Sequence, residues 1–207
     1  SRLVTGTSNL HSKLESDIAK FKKTDDAIVF SSGYLASIGT ISSIMNKDDI
    51  IFSDELNHAC LIDGARLSRS KIVIYKHSDM KDLESKLKKF KASNGKKMII
   101  SDSVFSMDGD IAPLDSIVKL SKKYECISMI DEAHATGILG DTGSGASEMF
   151  GVQDKIDICM GTLSKAVGSV GGYIAGSSDL IDYLKKRARS FIFDTSLPAG
   201  ALTASIR

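Results

Sequence analysis

Short apolar runs recur along the chain and alternate with stretches whose apolar residues repeat every three or four positions. The runs are bounded by small or polar residues, a pattern typical of buried strands, and the stretches between them indicate helices. One such helical stripe carries Leu10, Leu14, Ile18 and Phe21. Seven strands are predicted, at residues 27–30, 50–53, 72–75, 98–102, 127–130, 156–160 and 172–176.

The regular alternation of strands and helices contains neither an internal repeat nor a disordered linker. It therefore predicts an α/β fold in which a mostly parallel, seven-stranded sheet is covered by helices on both faces, giving three layers. Residues 191–198 are expected to be extended, and residues 199–207 are typical of the opening of a helix.

One loop stands out for its chemistry. Thr162, Ser164 and Lys165 follow the strand at 156–160 and precede a glycine-rich segment at 166–172. This places a single lysine at the end of a strand with small neighbours, where it can approach a planar ligand. A lone lysine is usually a solvated surface residue, so the function of Lys165 depends on what else reaches the same edge of the sheet.

Three further segments place chemical groups just after predicted strands. Ser32-Gly33-Tyr34 lies between a strand and a helix, an arrangement that offers free backbone N–H groups to an anion. His58 follows the second strand, and Asp131 with His134 follows the fifth. Each alone has a simple structural explanation, such as a helix cap. In an α/β sheet, however, ligands bind at the carboxyl ends of the strands, where these groups would meet.

Together these groups suit pyridoxal 5′-phosphate (PLP). A lysine amine condenses with an aldehyde as a Schiff base, and a carboxylate beside a pyridine nitrogen keeps that nitrogen protonated, so that the ring withdraws electrons. A helix N-terminus binds the phosphate. Lys165, Asp131 and the 32–34 loop supply these three requirements, and His58 adds a histidine able to lie on the ring.

Five motifs of the chain resemble those of the α-oxoamine synthases, which are fold-type-I PLP enzymes. They are 162–165, 171–173, 131–134, 105–110 and 54–59, and the resemblance runs from residue 1 to about 198. The group includes 2-amino-3-ketobutyrate CoA ligase, 8-amino-7-oxononanoate synthase of biotin biosynthesis, 5-aminolevulinate synthase and serine palmitoyltransferase. The resemblance implies an aspartate aminotransferase-like large domain over residues 1–190. Residues 191–207 would then lead toward a C-terminal small domain that this chain lacks.

The resemblance also implies roles at the cofactor ring. Lys165 corresponds to the Schiff-base lysine, Asp131 to the partner of the pyridine nitrogen and His58 to the ring-stacking histidine. His134 and Ser106 correspond to residues beside the phenolic oxygen of PLP.

The phosphate contacts follow from the same resemblance. Gly33, Tyr34 and Thr162 match phosphate-binding positions, and Thr195 matches a residue that reaches the phosphate of a neighbouring subunit, which implies a homodimer with shared sites. Asp194 stands where relatives often have serine or threonine. Because a carboxylate repels a phosphate, that contact is not expected to carry over unchanged.

The implied reaction condenses a small amino acid with an acyl-CoA and releases CoA, with loss of CO2 in decarboxylating members. Glycine with acetyl-CoA and alanine with pimeloyl-CoA are the leading pairs. Two alternatives stay open. The chain could be a truncated, non-catalytic PLP-fold domain that dimerises or binds a ligand, or another fold-type-I enzyme such as an aminotransferase.

Composition excludes other classes. The formal net charge of +1 gives no electrostatic case for nucleic acid or an anionic membrane. The sequence has no apolar run long enough to span a bilayer and no signal-peptide core. The three cysteines show no CxxC spacing, so neither a disulfide framework nor a metal site is expected, and a cytoplasmic location follows.

Overall fold

The computed structural model describes residues 1–206, which form one seven-stranded sheet flanked by helices. The strands are β1 (Asp26–Phe30), β2 (Ile50–Asp54), β3 (Lys71–Tyr75), β4 (Lys97–Asp102), β5 (Ile127–Asp131), β6 (Ile158–Thr162) and β7 (Gly172–Gly176). The helices are α1 (Asn9–Lys22), α2 (Gly33–Ile44), α3 (Ala59–Ser68), α4 (Met80–Lys89), α5 (Leu114–Lys123), α6 (Ala146–Met149), α7 (Ser178–Arg187), α8 (Arg189–Ile192) and α9 (Ala199–Ile206).

The strands lie in the order β1-β7-β6-β5-β4-β2-β3. Strand β7 runs antiparallel to both of its neighbours, and the other pairs are parallel. The predicted mostly parallel sheet is therefore confirmed. The register places Asp102, at the end of β4, beside Asp131, at the end of β5.

Both faces of the sheet are buried, because successive residues of a strand point to opposite faces. In β4, Met98 and Ile100 pack into one core, which also holds residues of α2, α3 and α7. Ile99 points the other way, into a core that it shares with residues of α4 and α5. Helices α1 and α9 cover that second face near β1 and β7. This arrangement confirms the three predicted layers.

Two predicted segments differ in detail. The sixth strand starts at Ile158 rather than Ile156, because Asp157 turns its carboxylate back to the backbone N–H of Ser128, at 2.8 Å. The prediction of an extended chain from residue 191 is wrong at its start. Phe191 lies in the short helix α8 and is buried with its ring edge-on to Phe30, the centroids 5.8 Å apart.

No helix within residues 1–206 combines the length and the apolar character needed to cross a membrane. In the same part of the chain, no group of three or more His, Cys, Asp and Glu side chains is placed to hold a metal ion.

Candidate active site

A pocket of about 290 Å³ opens at the carboxyl ends of β4, β5 and β6 and at the N-termini of α2 and α3. Its volume is near the lower end of the range for small-molecule sites, about 300–1,000 Å³. The pocket collects most of the site residues predicted from the sequence. Its lining is formed by Ser32, Gly33, Tyr34, His58, Cys60, Asp102, Asp131, Ala133, His134, Met160, Thr162, Ser164 and Lys165.

One end of the pocket is built to receive an anion. Ser32 caps α2, its hydroxyl oxygen accepting the backbone N–H of Leu35 at 3.1 Å. The N–H groups of Gly33 and Tyr34 donate no hydrogen bond within residues 1–206. Because α2 is 12 residues long, these free donors lie at the positive end of a full helix dipole.

Small residues bring the backbone close to this end of the pocket. A Cβ atom on Gly33 would lie 2.9 Å from Met160 Cε, and one on Gly172 would lie 2.4 Å from both the Cα and N atoms of Gly33. Thr162 sits beside Gly33, and its hydroxyl donates to the carbonyl of Gly171 at 3.0 Å. A side chain at Gly172 would displace the N-terminus of α2, whereas one at Gly33 would require the end of the Met160 side chain to move.

Two buried carboxyl groups line the pocket on adjacent strands. Asp131 Oδ1 accepts the backbone N–H of Ala133 at 2.8 Å, and Asp102 Oδ2 accepts that of His58 at 2.6 Å. Burial raises the pKa of Asp102 to about 8, and the negative charge of Asp131 adds to the effect. Burial also raises the pKa of Asp131, while the charge of Lys165 opposes the rise. The site therefore favours a positively charged partner for these carboxyls.

His58 caps helix α3 and lies against Cys60. Its Nδ1 accepts the backbone N–H of Cys60 at 3.2 Å and lies 3.0 Å from Cys60 Sγ. The thiol in turn lies 3.6 Å from Asp131 Oδ2. Since Nδ1 acts as an acceptor, the neutral ring carries its proton on Nε2.

Lys165 meets His134 across the pocket. Lys165 Nζ lies 3.4 Å from His134 Nδ1. Burial lowers the pKa of His134, and the charge of Lys165 lowers it further, so the imidazole is neutral at neutral pH. The positive charge of Lys165 also opposes the rise in the pKa of both pocket carboxyls, although burial raises both overall.

The residues described here suit PLP. The free N–H groups at the start of α2 match its phosphate, the buried carboxylate of Asp131 matches a protonated ring nitrogen, and the amine of Lys165 matches its aldehyde. A pocket with two buried carboxyls and free backbone N–H groups suits a ligand that has a cationic group and a separate anionic end, and PLP has both.

Two predicted residues lie outside this pocket. Ser106 is exposed in the turn after β4. Thr195 is exposed near the C-terminus and lines a separate, small cavity together with Asp194 and Arg2. The carboxylate of Asp194 accepts a hydrogen bond from the hydroxyl of Ser31.

Sequence reasoning missed Cys60 and Asp102 as lining residues. A signal existed for Asp102, which ends a predicted strand in the same way as Asp131. Cys60 gave none, because its contact with Asp131 joins residues 71 positions apart.

Known proteins match this chain along its whole length. The model of the family described as aminotransferase class I and II matches residues 1–207. An 8-amino-7-oxononanoate synthase of Lysinibacillus sphaericus is 56% identical over 205 residues, which are 99% of this chain and 52% of that protein. The chain spans about half the length of the curated relatives it matches.

Solved structures agree with the fold. A serine palmitoyltransferase from S. paucimobilis, with a bound PLP–myriocin aldimine, superposes with a TM-score of 0.96 at 34% identity, covering 100% of this chain and 53% of that one. An 8-amino-7-oxononanoate synthase from Francisella tularensis superposes with a TM-score of 0.85 at 34% identity, and the match covers 97% of this chain and 58% of that one. These likenesses confirm the predicted large-domain fold and the resemblance to the α-oxoamine synthases.

Proposed function

Because the chain belongs to the aminotransferase class I and II family, we propose that it forms the cofactor-binding part of a PLP-dependent acyltransferase. This enzyme condenses a small amino acid with an acyl-CoA and releases CoA. The observation that carries the proposal is the meeting of Lys165, His134, Asp131 and the free N–H groups of α2 in one pocket. The names of the relatives, 8-amino-7-oxononanoate synthase and serine palmitoyltransferase, support the reaction class.

When bound, PLP supplies an aldehyde that condenses with amines and a protonated ring that withdraws electrons from the α-carbon of an amino acid. Gly33, Tyr34 and Thr162 would hold its phosphate, and Asp131 its ring nitrogen. His58 would lie on the ring. His134 would donate to its phenolic oxygen, for which its lowered pKa leaves a neutral N–H donor, whereas Ser106 lies outside the pocket.

The proton chemistry falls to Lys165. Its amine is the base that takes the α-proton of the amino acid at Nζ and later returns a proton to the product. A base must have a free lone pair, so this task requires the neutral amine. His58 would hold the carboxylate of the amino acid or the carbonyl oxygen of the thioester.

The proposed substrates are alanine and a pimeloyl thioester, with release of CoA and CO2. The proposal is supported by the relatives named 8-amino-7-oxononanoate synthase, which are 52–56% identical to this chain. Glycine with acetyl-CoA is the second pair, in which the carboxylate is retained.

The organisation of the whole protein is part of the proposal. Residues 1–190 would form the large domain, and 191–207 would lead toward a small domain. A homodimer is supported by Thr195, which is exposed outside the pocket of its own chain and so is free to approach a partner. A cytoplasmic location is supported by three free, buried cysteines.

The first test is covalent labelling. The chain is incubated with PLP, reduced with borohydride and digested, and the peptides are weighed. We expect the label on the peptide that contains Lys165 and none in Lys165→Ala. Lys155→Ala, which removes an exposed lysine outside the pocket, should label normally. Labelling spread over many lysines, or none in the native chain, contradicts the proposal.

The second test separates reaction classes. The PLP-loaded chain is mixed with alanine, glycine or serine in D2O, and loss of the α-proton is followed by NMR. Each amino acid is then paired with a panel of acyl-CoA thioesters, and free thiol is measured. Exchange with thiol release supports an acyltransferase. Formation of a keto acid without thiol release indicates an aminotransferase instead.

A further inference from the structure

We propose that Cys60 is a positioning residue, whose thiol holds the carboxylate of Asp131 while its backbone N–H holds the ring of His58. The inference rests on the proposed function, because Asp131 and His58 are the residues assigned there to the cofactor ring. Cys60 is buried, lines the same pocket and reaches both groups, with Sγ 3.6 Å from Asp131 Oδ2 and 3.0 Å from His58 Nδ1.

The hydrogen bonds of Asp131 leave a defined place for the thiol. Oδ1 is taken by the backbone N–H of Ala133 at 2.8 Å. Within residues 1–206, Cys60 is the single hydrogen-bond donor to Oδ2. A carboxylate oxygen accepts two hydrogen bonds, so the thiol fixes the orientation of Oδ2 and leaves it able to accept a second donor.

Cys60 orients His58 through its backbone N–H, beside which the sulfur lies in contact with the ring. Its backbone N–H donates to Nδ1 at 3.2 Å, and its sulfur lies 3.0 Å from that nitrogen. The backbone hydrogen bond sets the rotation of the imidazole and, because Nδ1 accepts it, places the proton of the neutral ring on Nε2. One residue therefore controls both the carboxylate and the ring.

The thiol is suited to donate. Burial raises the pKa of Cys60 to about 12, and the negative charge of Asp131 contributes to the rise. The group therefore stays protonated at any pH at which the protein works. A donor to the carboxylate favours its ionised form, so loss of the thiol should make Asp131 easier to protonate.

The first experiment needs no cofactor. The PLP-free chain is labelled with ¹³C-aspartate, and the Asp131 carboxyl signal, identified by its loss in Asp131→Asn, is titrated by NMR. Cys60→Ala should move its midpoint to higher pH. Cys60→Ser keeps a hydroxyl donor and should restore the native midpoint or lower it. Cys126→Ala removes a buried thiol outside the pocket and should have no effect.

The second experiment measures PLP affinity near pH 7 by absorbance. Cys60→Ala should weaken binding about three- to tenfold, which is the range that one hydrogen bond supplies, whereas Cys60→Ser should bind as the native chain does. If Cys60 acts through Asp131, Cys60→Ala should have no further effect in the Asp131→Asn background.

An Asp131 midpoint that is the same in the native chain, Cys60→Ala and Cys60→Ser overturns the proposal. So does an equal loss of PLP affinity in Cys60→Ala with and without Asp131→Asn. Failure of the native chain to bind PLP would instead contradict the proposed function, and the cofactor-free titration would still decide the role of Cys60.

Discussion

The ammonium group of Lys22 lies 2.7 Å from the Glu132 carboxylate, and both side chains are almost fully buried. This ion pair joins the last residue of α1 to the residue that follows Asp131. Glu132 Oε1 also accepts the backbone N–H of Ser147 at 2.7 Å, and Lys22 donates to Thr136 at 3.1 Å. The pair therefore fixes the turn that carries Asp131 and His134.

Replacing Lys22 by methionine should destabilise the chain by about 3–5 kcal/mol, because it leaves a buried carboxylate without its partner. The double variant Lys22→Met/Glu132→Gln should recover much of that loss. Urea unfolding measures both. Lys13→Met is the matched control, since it breaks the exposed Lys13–Asp17 pair and should change stability by less than about 1 kcal/mol. Equal losses in Lys13→Met and Lys22→Met would contradict this account.

Local pattern was enough to predict the strands. Met98, Ile99 and Ile100 form a continuous apolar run because the two faces of β4 are both buried. The sequence could not place β7 between β1 and β6, since that order depends on pairing between distant segments. The short helix around Phe191 was missed for a similar reason, because its burial against Phe30 is a tertiary contact.

The residues of the candidate site also differ in whether the local sequence could predict them. Lys165, Asp131 and His58 were predictable because each follows a strand and carries a distinctive group. Cys60 and Lys22 were not, because their roles arise from contacts with Asp131 and Glu132 across the fold. A cysteine or lysine on a helix has no local pattern that distinguishes such a contact from ordinary packing.

Gly172 is required for the close approach of β7 to the start of α2. A Cβ at this position would lie 2.4 Å from backbone atoms of Gly33 and 2.7 Å from the carbonyl carbon of Ser32. Since backbone cannot give way as a flexible side chain can, Gly172→Ala should cost about 1–3 kcal/mol of stability and weaken PLP binding. Thermal unfolding and a PLP titration measure the two effects.

The control for this variant is Gly200→Ala. Gly200 lies in α9, and a Cβ atom at this position would have no neighbouring heavy atom within 4 Å. Alanine is the better helix former by up to about 1 kcal/mol, so this change should leave stability equal or slightly higher and PLP affinity unchanged. A Gly172→Ala protein with native stability and native affinity would show that the α2 terminus tolerates displacement.

His77 braces the turn that carries Ser106. Its Nδ1 lies 2.9 Å from Asp54 Oδ1, its Nε2 lies 2.7 Å from Asp110 Oδ2, and its ring packs edge-on against Phe105. Burial alone would lower the pKa of His77, but hydrogen bonds to Asp54 and Asp110 raise it overall. The protonated ring can donate to both carboxylates at once.

The raised pKa of His77 determines how its contribution to stability changes with pH. The stability that His77 contributes is fully present below its ordinary pKa, about 6.5, and is lost as the pH rises through the raised value. Hydrogen exchange at the amides of Phe105 and Gly109, which close the turn, should therefore lose protection above neutral pH. His77→Gln should remove this pH dependence. Protection that falls equally in the variant and the native chain would assign the effect to another group.

Asp102 should contribute to the pH dependence of stability below neutrality. Burial raises its pKa to about 8, with the charge of Asp131 adding to the rise, whereas an unfolded chain has an ordinary carboxyl pKa of about 4. Between these values the folded state binds more protons than the unfolded state. Stability of the cofactor-free chain therefore falls as the pH rises from about 4 through about 8, by up to about 1.4 kcal/mol per pH unit.

Asp102→Asn tests this directly. In the native chain Asp102 accepts the backbone N–H of His58 at 2.6 Å. The asparagine amide keeps a carbonyl oxygen that can accept the same N–H, but it cannot ionise. Urea midpoints at several pH values between 4 and 8 should decline in the native chain and change much less in the variant. Because a cationic ligand would favour the ionised carboxyls, saturation with PLP should also flatten the native profile. A variant that declines as steeply as the native chain would place the proton on Asp131 instead.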